Sequence, residues 1–299
     1  MKAQTNQFIG CDKPYREADT VVFGAPYDST TSFRPGTRFG PAAMRMESFG
    51  IETYSPLQDR DLVDDAKVFD AGDIELPFGA PQPALKMIEK KAARILADGK
   101  LPFLLGGEHL VTLGAFRAVQ KAYPDVVVIH FDAHADLRED YLGNPLSHAC
   151  VLRRCHDLVG DGRIFQFGIR SGTREEFRFM RDGHVTTEPF ADTTLEKVVS
   201  SLSSPSPSTF SSVPVYLTID MDVLDPSEFP GTGTQEVGGF RYAQLVADMR
   251  LICEKLNVVA MDNVELNPGL DPTGRSTALA CKFLRECLLG LKSTRNHKD

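Results

Sequence analysis

The amino-acid sequence predicts an α/β protein in which one parallel sheet is covered by helices on both faces. Short apolar segments recur along the chain, and they are rich in β-branched and aromatic residues on both faces, as buried parallel strands are. Helical patterns lie between these segments from one end of the chain to the other, without an internal repeat. We therefore expect residues 1–299 to form a single domain, although a rule of about 150 residues per domain would allow two.

Six segments have the strand pattern: residues 20–25, 101–105, 126–131, 163–168, 215–219 and 258–261. Residues 83–98 are predicted to be a helix, because their apolar side chains form one stripe that ends before Gly99. A second helix is predicted at residues 274–289, with Ser276 as its N-cap. Residues 200–212 are rich in serine and proline, and we expect a surface loop within the domain because the strand pattern resumes at Val213.

The composition argues against several classes of partner. The chain has 33 Lys and Arg residues against 41 Asp and Glu residues, a net charge of −8, which disfavours binding to nucleic acid or to an anionic membrane surface. No segment reaches the ~18 apolar residues of a membrane helix, and residues 1–10 lack the apolar core of a signal peptide. The six cysteines form no Cys-x-x-Cys pattern, which indicates free thiols and a cytoplasmic protein, with a Cys150–Cys155 disulfide as the alternative.

Acidic residues and a histidine follow the strand predicted at residues 126–131. Asp132, His134 and Asp136 occupy alternate positions, which share one face of an extended chain. Carboxylates that converge at the end of a buried strand are costly unless a cation neutralises them. The segment therefore indicates a metal site, with a solvated acidic loop as the alternative.

Two other strand ends repeat this arrangement. Asp220 and Asp222 alternate after residues 215–219, and Glu108 and His109 follow residues 101–105 after a pair of glycines. Parallel α/β sheets place their functional sites at these carboxyl ends. The combined donors exceed the needs of one tetrahedral zinc ion and suit Mn²⁺, with Fe²⁺, Co²⁺ and Zn²⁺ as competitors. Two metal ions about 3.5–4 Å apart can share a water and lower its pKa, which makes hydroxide available at neutral pH.

The sequence resembles the ureohydrolase family of arginases and agmatinases, and it is most similar to the agmatinases. The matching motifs appear in the family's order: Arg-Pro-Gly-Thr-Arg-Phe-Gly-Pro at 34–41, Gly-Gly-Glu-His at 106–109, Asp-Ala-His-Ala-Asp at 132–136, Asp-Met-Asp-Val-Leu-Asp-Pro at 220–226, Pro-Gly-Thr-Gly-Thr at 230–234 and Val-Glu-Leu-Asn-Pro at 264–268. The resemblance implies a three-layer α/β/α sandwich around a mainly parallel eight-stranded sheet. It also implies a homotrimer or a homohexamer.

The resemblance further implies two Mn²⁺ ions per subunit. One ion would be held by His109, Asp132, Asp136 and Asp220, and the other by Asp132, His134, Asp220 and Asp222. Agmatine would be hydrolysed to putrescine and urea by attack of a metal-bridging hydroxide on the guanidinium carbon.

Three residues are expected to assist this reaction. Asp136 can orient the hydroxide, Glu265 matches the family glutamate that pairs with the guanidinium, and His148 matches the histidine that relays a proton to the leaving amine. His130 alternates with Asp132 and His134, so we expect it beside the site rather than among the ligands.

The sequence allows more than one guanidine substrate. Glu139 or Asp140 would favour the ammonium end of agmatine, whereas Arg138 or Arg34 would suit the carboxylate of guanidinobutyrate or arginine. A metallophosphoesterase is disfavoured because its usual Gly-Asn-His motif is missing, and a deacetylase because it needs one zinc and fewer ligands. A catalytically inactive metal-binding paralogue is the other alternative.

Overall fold

The computed structural model describes residues 7–187, 195–203 and 213–291. Ten strands lie in these ranges: β1 (Thr20–Ala25), β2 (Tyr54–Ser55), β3 (Arg60–Asp61), β4 (Val68–Asp73), β5 (Leu101–Gly106), β6 (Val127–Phe131), β7 (Ile164–Phe167), β8 (Thr186–Thr187), β9 (Pro214–Asp220) and β10 (Asn257–Val264). Eight of them form the central sheet, in the order β4-β1-β5-β10-β9-β6-β7-β8. Every neighbouring pair in this sheet is parallel, while β2 and β3 form a separate antiparallel ladder.

Nine α-helices accompany the strands in the described ranges: α1 (Gly40–Glu47), α2 (Leu62–Asp65), α3 (Pro81–Ala97), α4 (Val111–Ala122), α5 (Val151–Val159), α6 (Arg174–Arg181), α7 (Leu195–Ser203), α8 (Tyr242–Lys255) and α9 (Arg275–Gly290). Helices α3, α4 and α5 pack side by side on one face of the sheet, and α1, α7, α8 and α9 pack on the other. The predicted three-layer α/β/α sandwich is therefore confirmed.

The core lies on both faces of the sheet because successive side chains of a strand point in opposite directions. In β1, Val22 belongs to the cluster under α1, α8 and α9, whereas Val21 and Phe23 belong to the cluster under α3 and α4. The same division separates Phe103 from Leu104 in β5. Burial on both faces explains why the strands read as continuous apolar segments in the sequence.

The six predicted strands and both predicted helices are present, with bounds that differ by up to three residues. Two further strands of the central sheet, β4 and β8, were not predicted, nor was the short β2–β3 ladder. Strands β4 and β8 occupy the two edges of the sheet, and β8 has only two residues, too few to leave a periodic pattern. Within the described ranges, we find no helix that combines the length and the apolar character needed to cross a membrane.

The prediction of Ser276 as an N-cap was wrong. Gly274, with φ of 71°, precedes α9, and Ser276 lies inside the helix. The carboxylate of Asp271 accepts hydrogen bonds from both the backbone amide and the hydroxyl of Ser276, at 2.8 and 2.6 Å. A carboxylate five residues upstream thus replaces the expected serine cap.

The loop predicted at residues 200–212 is only partly tested. Ser200 to Ser203 belong to the last turn of α7, so the loop does not begin at Ser200 as predicted. Residues 204–212 lie outside the described part of the chain.

Candidate metal centre

Four strands at the middle of the sheet end at one place. They are β5, β10, β9 and β6, which are consecutive neighbours in the sheet. The residues that follow or end them include all the sequence-predicted ligands: His109 after β5, Asp132, His134 and Asp136 after β6, and Asp220 and Asp222 at the end of β9. Glu265 directly follows β10. The carboxyl ends of adjacent parallel strands thus bring residues from four distant parts of the sequence together.

The paired glycines after β5 allow the chain to pass close to the β1 strand end. A Cβ atom on Gly107 would lie 2.0 Å from the carbonyl oxygen of Tyr27, so no other residue fits there. The amide of the next residue, Glu108, donates to that same carbonyl at 2.7 Å. This close approach directs the following residue, His109, toward the middle of the sheet.

The imidazole of His109 faces three carboxylates. Its Nδ1 atom lies 3.0 Å from Asp132 Oδ2, 3.2 Å from Asp136 Oδ2 and 3.3 Å from Asp220 Oδ2. All four side chains are buried, and Nδ1 makes no hydrogen bond within the described residues. One imidazole nitrogen and three carboxylate oxygens around one point are donors that a divalent cation can take.

The hydrogen bonds behind His109 fix which of its nitrogens carries the proton. Thr218 Oγ1 donates to Asp262 Oδ1 at 2.6 Å, and its only proton is used there. At the 2.9 Å contact with His109 Nε2, the threonine oxygen must therefore accept. The proton lies on Nε2, and the lone pair of Nδ1 points at the three carboxylates. Beside three carboxylates, such a lone pair binds a cation, which is either a metal ion or a second proton.

A second imidazole lies on the other side of Asp132. His134 Nδ1 is 2.9 Å from Asp222 Oδ2 and 3.4 Å from Asp132 Oδ1. Asp132 thus directs one oxygen toward His109 and the other toward His134, which is how a bridging carboxylate is arranged. Asp220 Oδ1 accepts from the amide of Asp222 at 2.8 Å, which leaves Oδ2 toward His109.

His130 orients Asp132 rather than adding a ligand. Its Nε2 lies 2.9 Å from Asp132 Oδ2, and its Nδ1 accepts from the side-chain amide of Gln166 at 3.0 Å. The same amide nitrogen donates to the carbonyl of Ala135 at 2.8 Å, which fixes the amide orientation. His130 is therefore a neutral donor to Asp132, and burial lowers its pKa, which agrees with that state.

The closely spaced charges shift the pKa values of the candidate ligands. Burial and the charges of Asp222 and Asp132 raise the pKa of Asp220 well above its ordinary value. Burial and Asp132 raise the pKa of Asp136 to about 7. Burial alone would lower the pKa of His109, but its three carboxylate neighbours raise it well above its ordinary value. The cluster therefore holds protons unless cations replace them.

A cavity of about 260 Å³ opens above these residues. Its lining includes the two imidazoles, Asp136, His148, Arg138 and Glu265. Asp136 and Glu265 have φ of 54° and 65°, two of the five positive values among described residues other than glycine. Such backbone conformations cost about 1–3 kcal/mol and persist where the surroundings enforce them, often at functional sites.

His148 reaches the cavity from the short helical turn after the β6 loop. Its backbone amide donates to Thr30 Oγ1 at 3.1 Å, and that hydroxyl donates to the buried Glu108 at 2.7 Å. Its Nε2 lies 3.3 Å from the hydroxyl of Ser32. Burial lowers the pKa of His148 to about 4, so this imidazole is neutral at pH 7.

Sequence reasoning did not identify the residues that support the predicted ligands. Thr218, Asp262 and Gln166 are buried polar residues within apolar strands, and their interruption of the apolar pattern was the available signal. The predicted roles of Glu139 and Asp140 are not supported by their positions. Glu139 pairs with Arg153 at 2.8 Å, and Asp140 accepts from the amide of Gly143 at 2.8 Å.

An all-parallel sheet with imidazoles and carboxylates at its carboxyl ends is typical of metal-dependent α/β enzymes. The chain belongs to the arginase family, a family of binuclear metal hydrolases, whose sequence model matches residues 18–290. The prediction of a ureohydrolase, an enzyme that cleaves a C–N bond of a linear amidine, is confirmed.

Curated relatives match the chain over nearly its whole length. It is 46% identical over 285 residues to the agmatinase of Halalkalibacterium halodurans, covering 95% of this chain and 96% of the relative. It is 45% identical over 284 residues to the agmatinase of Bacillus subtilis, covering 95% of each chain. The solved agmatine ureohydrolase of Thermoplasma volcanium has a TM-score of 0.86 at 33% identity, covering 98% of this chain and 97% of that one.

Proposed function

We propose that this chain hydrolyses agmatine to putrescine and urea, with two Mn²⁺ ions bound at the carboxyl ends of the central strands. The observation that carries this proposal is the position of the Nδ1 atoms of His109 and His134 on opposite sides of the shared carboxylate of Asp132. The similarity to agmatinases supports the choice of substrate.

Each ion would take one imidazole nitrogen and carboxylate oxygens. The first would be held by His109, Asp132, Asp136 and Asp220, and the second by Asp132, His134, Asp220 and Asp222. A donor set rich in carboxylate oxygen with one nitrogen per ion suits Mn²⁺. When bound, the two ions supply an acidified water as the nucleophile.

The protein groups around the ions position the substrate and move protons. Glu265 lies at the cavity and accepts the amide of His109 at 2.8 Å through Oε1, so its other oxygen is available to a guanidinium NH₂ group. Asp136 can accept a hydrogen bond from the attacking water and hold it below the guanidinium carbon. Attack forms a C–O bond, and the C–N bond to the alkyl chain then breaks.

His148 would carry a proton to the leaving amine. Because its pKa is about 4, it is neutral in the resting enzyme and must first accept a proton before it can donate one. The proton released from the attacking water supplies that need, so the reaction consumes one water and yields urea and the diamine. The hydrogen bond of His148 to Thr30 holds its backbone at the cavity wall.

The end of the substrate away from the guanidinium meets Arg138, Tyr141 and Glu176. The guanidinium of Arg138 lies 4.6 Å from the ring centre of Tyr141 and 3.7 Å from Glu176 Oε2. An unpaired arginine would favour a carboxylate, as in 4-guanidinobutyrate, which is the second candidate substrate. The contact with Glu176 offsets that charge and supports an ammonium instead.

We also propose that the chain is a single domain that assembles in the cytoplasm as a homotrimer or homohexamer. Large apolar side chains near α1 support self-association, since Phe39, Met46 and Phe49 are 62%, 72% and 58% exposed. The six cysteines are buried free thiols, as suits a reducing compartment. Light scattering of the purified protein tests the assembly.

The function is tested by urea release from agmatine, arginine and 4-guanidinobutyrate in parallel, using Mn²⁺-loaded protein with measured metal content. We expect selective turnover of agmatine, and loss of turnover in a His134→Asn variant that lacks one donor to the second ion. If only another guanidine yielded urea, that compound would replace agmatine as the proposed substrate. No urea from any of them, with two ions bound, would indicate an inactive paralogue.

A further inference from the structure

A second cluster of metal-binding side chains lies at the surface, near the β7–β8 side of the sheet. It consists of His156 in the last turn of α5, Asp161 in the turn that follows, and His184 between α6 and β8. Their ligand atoms all lie within 4.8 Å of one another. The cluster shares no residue with the candidate metal centre.

Both imidazoles are directed at the same carboxylate oxygen. His156 Nε2 lies 2.8 Å and His184 Nδ1 lies 2.9 Å from Asp161 Oδ1. The turn that presents Asp161 is built by Gly160 and Gly162, whose φ values of 78° and 71° favour glycine. The backbone therefore holds this carboxylate where two separate chain segments deliver their imidazoles.

Phe179 of α6 holds both rings. His184 stacks on its face, with ring centres 4.2 Å apart and planes 23° apart, and His156 meets it edge-on at 4.9 Å and 82°. The nearby guanidinium of Arg153 also lies over Phe179, at 4.3 Å, but it is paired with Glu139 at 2.8 Å. The positive charge of Arg153 is thereby offset. Because both imidazoles pack against Phe179, they would lose little conformational entropy on binding a metal ion.

We propose that His156, Asp161 and His184 bind one Zn²⁺ ion, with water as the fourth ligand. Two imidazole nitrogens and one carboxylate oxygen are ligands that Zn²⁺ accepts in tetrahedral sites, at about 2.0–2.2 Å. Tetrahedral ligands at that distance lie roughly 3.3–3.6 Å apart, so the carboxylate needs to withdraw by less than about 1 Å. Each imidazole would then carry its proton on the other ring nitrogen, and the ion would take the place of the two hydrogen bonds to the carboxylate oxygen.

The ion would tie three segments together. Helix α5 and the turn before β7 would be joined to the segment that leads from α6 into the edge strand β8. Strand β8 has only two residues and pairs with β7 through Phe165 and Gln166, so the sheet offers it little support. This site is independent of the proposed hydrolase function, since the cluster shares no residue with the candidate metal centre.

The test is a count of bound ions per chain. Mn²⁺-loaded protein is dialysed against Zn²⁺, and total manganese and zinc are measured for the unaltered chain and for His184→Asn, Asp161→Asn and Asp157→Asn. Asp157→Asn removes an α5 carboxylate that pairs with Arg154 at 3.0 Å instead of belonging to the cluster. Because zinc that displaces manganese leaves the total unchanged, the count isolates the additional site.

We expect the unaltered chain and Asp157→Asn to hold one ion per chain more than His184→Asn and Asp161→Asn. Zn²⁺ should also raise the thermal unfolding midpoint more in the first pair than in the second. Equal ion counts in all four proteins would overturn the proposal. If the main centre failed to bind metal, all totals would fall together while the difference of one ion remained. Unchanged urea release and an unchanged midpoint without Zn²⁺ establish that the two cluster variants fold.

Discussion

His109 Nε2–H donates a hydrogen bond to Thr218 Oγ1, at 2.9 Å, because the hydroxyl of Thr218 itself donates to Asp262. This pair sets the state of the opposite nitrogen, whose lone pair faces three carboxylates. Tyr216 also donates to Asp262, at 2.6 Å, so the carboxylate of Asp262 accepts hydrogen bonds from two residues of β9. Residues of β9 thus orient His109, a candidate metal ligand that follows β5.

Replacing the threonine hydroxyl should weaken metal binding without touching a ligand. In Thr218→Val, His109 Nε2–H loses its acceptor, and the Nδ1 lone pair is no longer enforced. We expect the Mn²⁺ concentration for half-maximal urea release to rise about 10–100-fold, as for other residues behind a metal ligand. Thr218→Ser keeps the hydroxyl and should remain close to the unaltered enzyme. An unchanged Mn²⁺ dependence in the valine variant would contradict this role.

The ligand positions could be predicted from the sequence because they follow a local rule. Asp132, His134 and Asp136 alternate directly after an apolar strand, and the carboxyl ends of parallel strands meet. The supporting residues follow no local rule. Thr218 acts on His109 across 109 residues of sequence, and Gln166 acts on His130 across 36. Only the order and register of the strands in the folded sheet reveal these contacts.

The same contrast holds for the fold. Central strands such as β5 and β9 are buried on both faces and were predictable as apolar segments. Strand β4 was missed because Asp70 and Asp73 interrupt its apolar residues, and these aspartates serve Arg45, a buried partner from α1. A tertiary ion pair of this kind is invisible to strand periodicity.

Glu265 provides a direct test of guanidinium recognition. In Glu265→Gln the side-chain oxygen can still accept the amide of His109, but the charge opposite the substrate is lost. A hydrogen bond to a charged group contributes about 1.5–3 kcal/mol, so we expect kcat/KM for agmatine to fall roughly 10–150-fold. Metal content should stay unchanged. A variant that loses metal in parallel with activity would instead place Glu265 in the support of His109.

Removal of the metal should destabilise the fold as well as stop the reaction. Without cations, the buried carboxylates of Asp132, Asp136 and Asp220 lie around one imidazole and must take up protons or repel one another. At a Mn²⁺ concentration of 100 times Kd, each ion contributes about 2.7 kcal/mol, which corresponds to roughly 4 °C in the unfolding midpoint per ion for a chain of this length. Calorimetry with and without a chelator measures this, and Mn²⁺ should restore both properties. An unchanged midpoint after verified metal removal would argue against the ligand set.

His148 should make the metal-free protein sensitive to acid. Its pKa is lowered by burial to about 4, from an ordinary value near 6.5, so the folded state favours the neutral ring. The associated stability is present above pH 6.5 and is lost as the pH falls toward 4, by at most about 3 kcal/mol. His148→Gln cannot titrate, so its stability should fall less over this interval. Denaturant titrations at pH 6.5 and 4 give the difference, and parallel losses in both proteins would show that the ring is not buried as described.

Arg138 is expected to set the preference of the cavity between an ammonium and a carboxylate at the far end of the substrate. Its guanidinium lies 3.7 Å from Glu176 Oε2, and the side chain lines the same cavity as the candidate ligands. Removing the positive charge in Arg138→Gln leaves the Glu176 carboxylate to face an ammonium, and it deprives a carboxylate substrate of its partner. Because a partly exposed charge contact contributes up to about 1 kcal/mol, the ratio of kcat/KM for agmatine over 4-guanidinobutyrate should rise roughly fivefold. Arg34→Gln is the matched control, since the Arg34 guanidinium lies over Phe33, at 4.8 Å, rather than among the cavity-lining residues. A ratio that falls in Arg138→Gln would mean that Arg138 holds Glu176 in place for the ammonium, so that the ion pair, and not the free carboxylate, recognises the substrate.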